Sequence, residues 1–281
     1  MNIEVVSGSE IRGLSVSIVV YRPDLERLTG TLGTLAAACK MLRTIRQELP
    51  VEVCLVDNGG LPDFGASLDA LRAYNIVCTT LTGHGNIGYG RGHNLAIEKS
   101  CSRYHLVLNP DIDIDPDALI EAFAFLDAHA DVALLTPRID DQQRRMQYLC
   151  RRYPTMVDLF VRGFFPENLR RLFARRLASY EMQDVVNDRD IVWDPPIVSG
   201  CFMLFRTRVL KQLGGFDPRY FLYFEDYDLS LRTNEIARVA YVPSVHVVHH
   251  GGGASRKGFA HIRMFGASAF KFFNRFGWRL W

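Results

Sequence analysis

No stretch of this chain approaches the roughly 20 consecutive apolar residues that a membrane-spanning helix needs, and no basic start leads into an apolar leader. A cytoplasmic protein is therefore expected. The six cysteines (Cys39, Cys54, Cys78, Cys101, Cys150 and Cys201) never form a C-x-x-C pair. That removes the commonest zinc and redox patterns, and several lie in apolar runs where a reduced thiol serves as a small hydrophobe. Net charge is scarce as well: 33 Lys and Arg against 31 Asp and Glu leave +2, too little to argue for a nucleic-acid partner. What is plentiful is apolar content, 48% of 281 residues, enough to bury one domain or two tightly joined halves.

That apolar content is organised. Short runs at Leu14–Tyr21, Val51–Val56, Ile76–Leu81, Tyr104–Leu108 and Val132–Thr136 alternate with helix-length segments, which predicts an α/β fold whose central sheet is mostly parallel and flanked by helices. Ligands of such sheets bind beyond the carboxyl ends of the strands. Those positions hold Tyr21 to Asp24, Asp57 to Gly60, the glycine loop Gly83 to Gly92, and Asn109-Pro110-Asp111. From Arg144 to Asp190 the alternation gives way to a basic, aromatic and irregular stretch, read as an insertion. Apolar order returns at Pro196–Phe205, followed by a helical segment Arg208–Leu213, the run Tyr220–Arg232, and strand-like Arg238–Val242 and Val245–His249. Ile262–Trp281 is aromatic, basic and amphipathic.

Each polar cluster has a chemical and a structural reading. An apolar strand ending in Asn109-Pro110-Asp111-Ile112-Asp113-Ile114-Asp115 crowds carboxylates, which Mg²⁺ or Mn²⁺ would neutralise together with substrate phosphates. Asp115 alone reads as the N-cap of the helix that starts after it. Asp57, ending a buried strand, can accept from a base or ribose, or close an Asx-turn with Asn58-Gly59. Gly83-His84-Gly85-Asn86-Ile87-Gly88 spells G-x-G-x-x-G after a strand, but that fingerprint normally occupies the first strand-to-helix turn, and two strands precede this loop. In either reading its free N–H groups, with Asn86 and Asn94, suit a phosphate or base. Glu225 and Asp226 follow Phe221-Leu222-Tyr223-Phe224 and should project from an apolar wall into a cleft, where a carboxylate suits a general base. Asp228 and Arg232, four apart, read as a supporting ion pair. His246, His249 and His250 border Gly251 to Ser255, where an imidazole suits a metal or diphosphate oxygen and the glycines suit loop closure.

Taken together, these residues resemble the family-2 nucleotide-sugar glycosyltransferases of GT-A fold, particularly their bacterial rhamnosyltransferase-like branch. The markers, in order, are Val16–Tyr21, Val56-Asp57-Asn58, Asn86–Gly90, Leu108–Asp111, Ser199-Gly200, Gly214–Asp217, Tyr223–Leu229 and His249–Gly252. The resemblance implies a nucleotide-sugar-binding half at 1–140, a basic insertion at 141–192, an acceptor and catalytic half at 193–260 and an amphipathic segment at 261–281. It implies that Asp57 binds the base with Tyr21 lining its pocket, and that Asn58, Asn86, Gly88, Asn94 and Asn109 belong to the nucleotide site. Asp111, at the second acid of a D-x-D motif whose first acid is Asn109 here, and His249 would hold the metal. Asp226 would be the catalytic base, with Glu225 beside it. The donor implied is dTDP-L-rhamnose or a UDP sugar, the acceptor a saccharide hydroxyl, free or lipid-linked, in surface polysaccharide synthesis, and the reaction a metal-dependent inverting displacement.

The basic insertion and tail add an expected peripheral contact with the inner face of the cytoplasmic membrane, against the alternative of solvated or paired arginines. Two other functions stay open on sequence. A nicotinamide-dependent oxidoreductase would use the glycine loop but leaves Glu225-Asp226 without a task, and a non-catalytic nucleotide-binding protein would not need its acids intact.

Overall fold

The apolar runs form β1 (Ile11–Val20), β2 (Val51–Asp57), β3 (Ile76–Leu81), β4 (Ser102–Leu108), β5 (Ile112–Ile114), β6 (Val132–Asp140), β7 (Val192–Trp193), β8 (Phe202–Arg206) and β9 (Arg238–His249). In this computed structural model, which describes residues 11–251 and 258–281, they make one nine-stranded sheet. The order is β3-β2-β1-β4-β8-β6-β9-β5, with β7 also on β9. β3, β2, β1 and β4 run parallel, as do β6 and β9, while β8 is antiparallel between β4 and β6. The carboxyl ends of β2, β1 and β4 therefore lie along one edge, where Asp57 ends β2 and Asn109 follows β4, on either side of β1.

Period-two alternation divides the core into two layers. Leu106, Leu108, Phe202 and Leu204 face one side with Leu28, Leu32 and Leu35 of the helix Leu25–Ile45 and Leu119 and Phe123 of the helix Ala118–Ala128. Val107, Met203 and Phe205 face the other, against Ile97, Leu210 and Leu229 of three further helices. Because both faces are covered, the strands read as continuous apolar runs. The helix Leu25–Ile45 starts where Asp24 accepts from the N–H groups of Glu26 and Arg27, the N-cap chemistry expected of an aspartate.

Three local expectations change. Asp115 does not cap the following helix: that helix begins at Ala118 without a side-chain cap, and the Asp115 carboxylate pairs with His246. The cause is tertiary, since β5 lies antiparallel to β9 and sets Ile114 opposite Val247. The two strand-like runs before His249 are one strand, with a register shift beside β6 absorbing the interruption at Pro243-Ser244. The stretch after Arg144, read as irregular, contains helices at Met156–Phe164, Glu167–Arg170 and Ala174–Tyr180, the first opened by a Thr155–Asp158 capping box.

The last helix spans Gly258–Phe276. Phe272 and Phe273 pack with Tyr220, Phe224 and Leu159 in an aromatic cluster joining the insertion, the 220s segment and the tail. Asp228, fully buried, sits between two cations, Arg232 at 2.5 Å and Arg275 at 2.8 Å, so the expected Asp228–Arg232 pair forms and also tethers the last helix. Removing one member of such a buried network strands the remaining charges. Asp228→Ala should lower unfolding stability by about 3–5 kcal/mol, measured as a downward shift of the urea midpoint; an unchanged midpoint would show that the tether carries no load.

Candidate active site

The glycine loop is positioned by how little room it has. A Cβ on Gly88 would sit on the backbone of Phe221, and one on Gly90 would come within 2.7 Å of Phe216 Cβ. The Tyr89 N–H donates to the Phe221 carbonyl (3.0 Å), pinning the loop to the 216–221 segment. Gly88 is thus required by protein contact, whereas space beside Gly83 and Gly85 is open. A dinucleotide fingerprint occupies the first strand-to-helix turn of its domain, whereas this loop follows the third strand, β3.

Pinned in this way, Tyr89 points inward. Its ring meets His93 edge-on at 4.4 Å and Phe216 at 5.9 Å. His93 is itself held from below: its Nδ1 lies 2.7 Å from Ser17 Oγ, which also contacts His105, which in turn contacts Ser15. Burial holds both imidazoles well below the ordinary histidine range, so this internal chain is neutral. At the other end, Tyr89 Oη lies 2.7 Å from the Gly200 carbonyl and 3.0 Å from the Asn109 amide. Burial raises the phenol far above its usual range, and the charges of Glu225, Asp226 and Asp111 raise it further. One partly buried phenol therefore has acids of both halves of the chain as neighbours.

Asp226 is anchored by backbone. Gly200 N–H donates to Oδ2 and Tyr227 N–H to Oδ1, each at 3.0 Å. The turn that delivers it is strained: Tyr223 and Phe224 both adopt left-handed backbone, φ 73° and 66°, which a bulky residue takes only when its surroundings impose it. Here the aromatic cluster imposes it, with Phe224 packed on Phe265 and Phe272. Glu225 is buried beside Asp226, and its Oε2 has no hydrogen-bond partner. Burial first, and the Asp226 charge second, push the Glu225 carboxyl up to about 8. Burial also raises Asp226, but the N–H groups of Gly200 and Tyr227 work against the rise. The pair divides its labour accordingly: Glu225 keeps a proton at neutral pH while Asp226 is the better anion.

Asp111 and His249 meet across β5, with His249 Nε2 3.5 Å from Asp111 Oδ1. That oxygen is buried and makes no hydrogen bond. Burial would raise the Asp111 carboxyl, yet His249 and the Arg27 guanidinium outweigh it and hold the group below the usual carboxylate range. Gly251 is glycine because a Cβ there would collide with both Asp111 Oδ2 and His249 Nε2. His250 turns to Asp113 instead, 2.6 Å away. The expected loop closure falls mainly on residues 252–255, outside the described residues. Among the described residues no group of three His, Cys, Asp or Glu side chains gathers as a complete metal cage. One carboxylate oxygen without a partner and one imidazole nitrogen do fit a divalent ion that takes its other ligands from phosphate and water.

Around Asp57, Oδ1 accepts from Gly59 N–H (2.8 Å) and Leu61 N–H (3.3 Å), the Asx-turn, while Oδ2 faces Thr82. Tyr21 lies half-exposed over this turn, within 3.6 Å of where a Gly59 Cβ would be. The asparagines serve the frame: Asn58 donates to the Gly88 carbonyl, Asn86 accepts from Gly88 N–H, and Asn94 uses both ends of its amide on the Phe216 backbone. Tyr89 is the site residue that residue types did not single out. Its signal was an aromatic flanked by Gly88 and Gly90, a place where glycine permits close approach.

Residues 38–264 match the family described as glycosyltransferase like family 2. N-acetylglucosaminyl-diphospho-decaprenol L-rhamnosyltransferase of Mycobacterium tuberculosis is 30% identical over 257 residues, covering 84% of this chain and 76% of the relative. Rhamnosyltransferase WbbL of Escherichia coli is 27% identical over 186 residues, 63% of this chain and 66% of the relative. Among solved structures, a fragment of S. aureus TarS in complex with UDP aligns over 93% of this chain and 66% of its own, with TM-score 0.55 and 17% identity. GalNAc-T7 with UDP, GalNAc and Mn²⁺ aligns over 86% of this chain and 43% of its own, with TM-score 0.60 and 14% identity. At those identities the structural likeness is one of fold, and the fold is the GT-A type that the sequence motifs implied.

The raised Glu225 carboxyl has a direct stability consequence. Between pH 4.5, its ordinary value, and about 8, the unfolded chain releases a proton that the folded chain retains, so this residue makes the fold less stable as pH rises. Glu225→Gln needs no such proton. Its melting temperature should exceed wild type by a few degrees at pH 8.5 and by less at pH 5.5; a difference independent of pH would place the carboxyl in water.

Proposed function

Because the chain belongs to glycosyltransferase like family 2, we propose that it is an inverting glycosyltransferase that moves L-rhamnose from dTDP-L-rhamnose to a saccharide hydroxyl of a lipid-linked acceptor in surface polysaccharide synthesis. The rhamnosyl and lipid-linked parts are supported by what the mycobacterial and E. coli relatives are named for. The observation that carries the mechanism is Asp226. It is an acid held by two backbone N–H groups on a strained turn, next to a carboxyl that keeps its own proton.

In the proposed reaction the nucleoside base rests against Tyr21 and the Asp57 turn, and the diphosphate lies toward Asp111 and His249. Those two residues would hold Mg²⁺ or Mn²⁺, which supplies charge neutralisation for the departing nucleoside diphosphate when bound. Asp226 accepts the acceptor hydroxyl's proton as that oxygen attacks the anomeric carbon from the side opposite the leaving group, inverting the centre without a covalent enzyme intermediate. Glu225, still protonated, does not compete for that proton and can donate a hydrogen bond into the acceptor side. Asn58, Asn86 and Asn94 act on the nucleotide through the loop they tie down.

The two acids should fail differently. Offered a mixture of dTDP-L-rhamnose and UDP sugars, the wild type should consume the dTDP sugar, and Asp226→Asn should lose at least about a hundredfold in turnover while still binding nucleotide. Asp111→Ala should instead lose Mn²⁺-dependent binding in calorimetry. Near-normal turnover by Asp226→Asn, or undiminished affinity in Asp111→Ala, would assign the roles elsewhere.

We also propose that the insertion and tail rest on the inner face of the cytoplasmic membrane. Among the described residues no helix is long and apolar enough to cross it. Within the insertion Arg151, Arg152, Arg162 and Arg176 face acids, and Arg170 donates to a carbonyl. Arg171 and Arg175 stay exposed beside Leu172, 79% exposed, with Leu280 and Trp281 exposed on the tail. Cations interleaved with exposed apolar side chains suit an anionic interface. Sedimentation with phosphatidylglycerol vesicles at low salt should pull the protein down, and Arg171→Glu with Arg175→Glu should release it; no sedimentation would refute the contact.

A further inference from the structure

The Tyr89 hydroxyl has one proton and two neighbours that need one. Its oxygen is 2.7 Å from the Gly200 carbonyl oxygen and 3.0 Å from Asn109 Oδ1. A carbonyl can only accept, so at the shorter distance Gly200 takes the phenolic proton. An acceptor atom of Asn109 would then oppose a phenol lone pair in a partly buried contact, where an unmade hydrogen bond is costly. The two ends of an amide are nearly the same size and exchange places without disturbing their neighbours. With Nδ2 toward the phenol, both contacts become hydrogen bonds. Among the described residues the Asn109 side chain has no other hydrogen-bond partner to oppose that orientation.

We infer that Tyr89 is a positioning residue that orients the Asn109 amide, nitrogen toward the phenol and carbonyl oxygen toward the open edge of the sheet beside Asp111. The consequence for the donor rests on the transferase reading above; the orientation itself does not. It accounts for an asparagine where the family resemblance places an acid. A carboxylate at position 109 has no N–H to offer and would compete with Gly200 for the single phenolic proton. Gly200 would then lose the anchor on its carbonyl, and the same residue's N–H is what holds Asp226 Oδ2 at 3.0 Å. A neutral amide also adds no further negative charge to a phenol that already has Asp111 and Asp226 around it. Tyr89 thereby links the residue facing the donor to the residue proposed as base.

Neutron diffraction from a perdeuterated crystal of the whole chain reads the orientation directly. The expected map puts the Tyr89 deuteron on the line to Gly200 O and two deuterons on the Asn109 atom nearest the phenol; a Tyr89 deuteron aimed at Asn109 overturns the inference. Calorimetric titration with dTDP and UDP in Mn²⁺ reads the consequence. Asn109→Asp, although it restores an acid, should bind nucleotide about tenfold more weakly than wild type, the weight of roughly one hydrogen bond, and Tyr89→Phe should weaken it by a similar factor. Binding by Asn109→Asp as tight as wild type, or tighter, overturns the positioning role. Wild-type protein that shows the expected deuterons yet binds neither nucleotide would defeat the transferase reading and support the orientation.

Discussion

The close approach of the glycine loop to the segment 216–221 is the constraint on which the site depends. Gly88 and Gly90 leave no room for a side chain there, and the Tyr89 N–H fixes the register against Phe221. Between two such glycines the one large side chain has to enter the interior, and it lands where the tip of β4, the Gly200 peptide and the acids at 225 and 226 converge. Two halves that are distant in the chain are thereby held at one spacing by packing and hydrogen bonds. A methyl group added at either glycine would separate them.

Crowded carboxylates are the second constraint, and each is handled by different physics. Asp57 takes backbone N–H groups from its own turn. Asp111 has an imidazole and a guanidinium as its neighbours. Asp226 takes two N–H groups, and Glu225, with no partner for Oε2, keeps its proton. Acids whose surroundings push their proton affinities apart are suited to different tasks. An adjacent pair in which one member is neutral and the other charged offers a base without the repulsion of two charges.

The fold was legible in the sequence because the sheet is covered on both faces. Val51–Val56 and Tyr104–Leu108 appear as apolar runs interrupted only by Glu52 and His105, and the carboxyl-edge rule then located Asp57, Asn109 and Asp111. Asp226 was legible as acid chemistry following an aromatic wall. What escaped was whatever depends on contacts remote in sequence. Asp115 looked like a cap because the His246 that engages it lies 131 positions away. The helices within the insertion were hidden because they are short and their arginines find acids only after folding, as Arg176 does with Asp158. Tyr89 was legible only as part of the Asn86–Gly90 marker, since nothing local reveals that Phe221 and Gly200 will enclose it.

The central proposition is that one pocket spans the Asp57 turn, Asp111 with His249, and Asp226. A crystal structure of the protein with dTDP or UDP and Mn²⁺ tests it most directly. The expected density places the base against Tyr21 and Asp57, the diphosphate beside Asp111 and His249, and leaves Asp226 facing the sugar end. Nucleotide bound anywhere that does not touch both the Asp57 turn and Asp111 would contradict it.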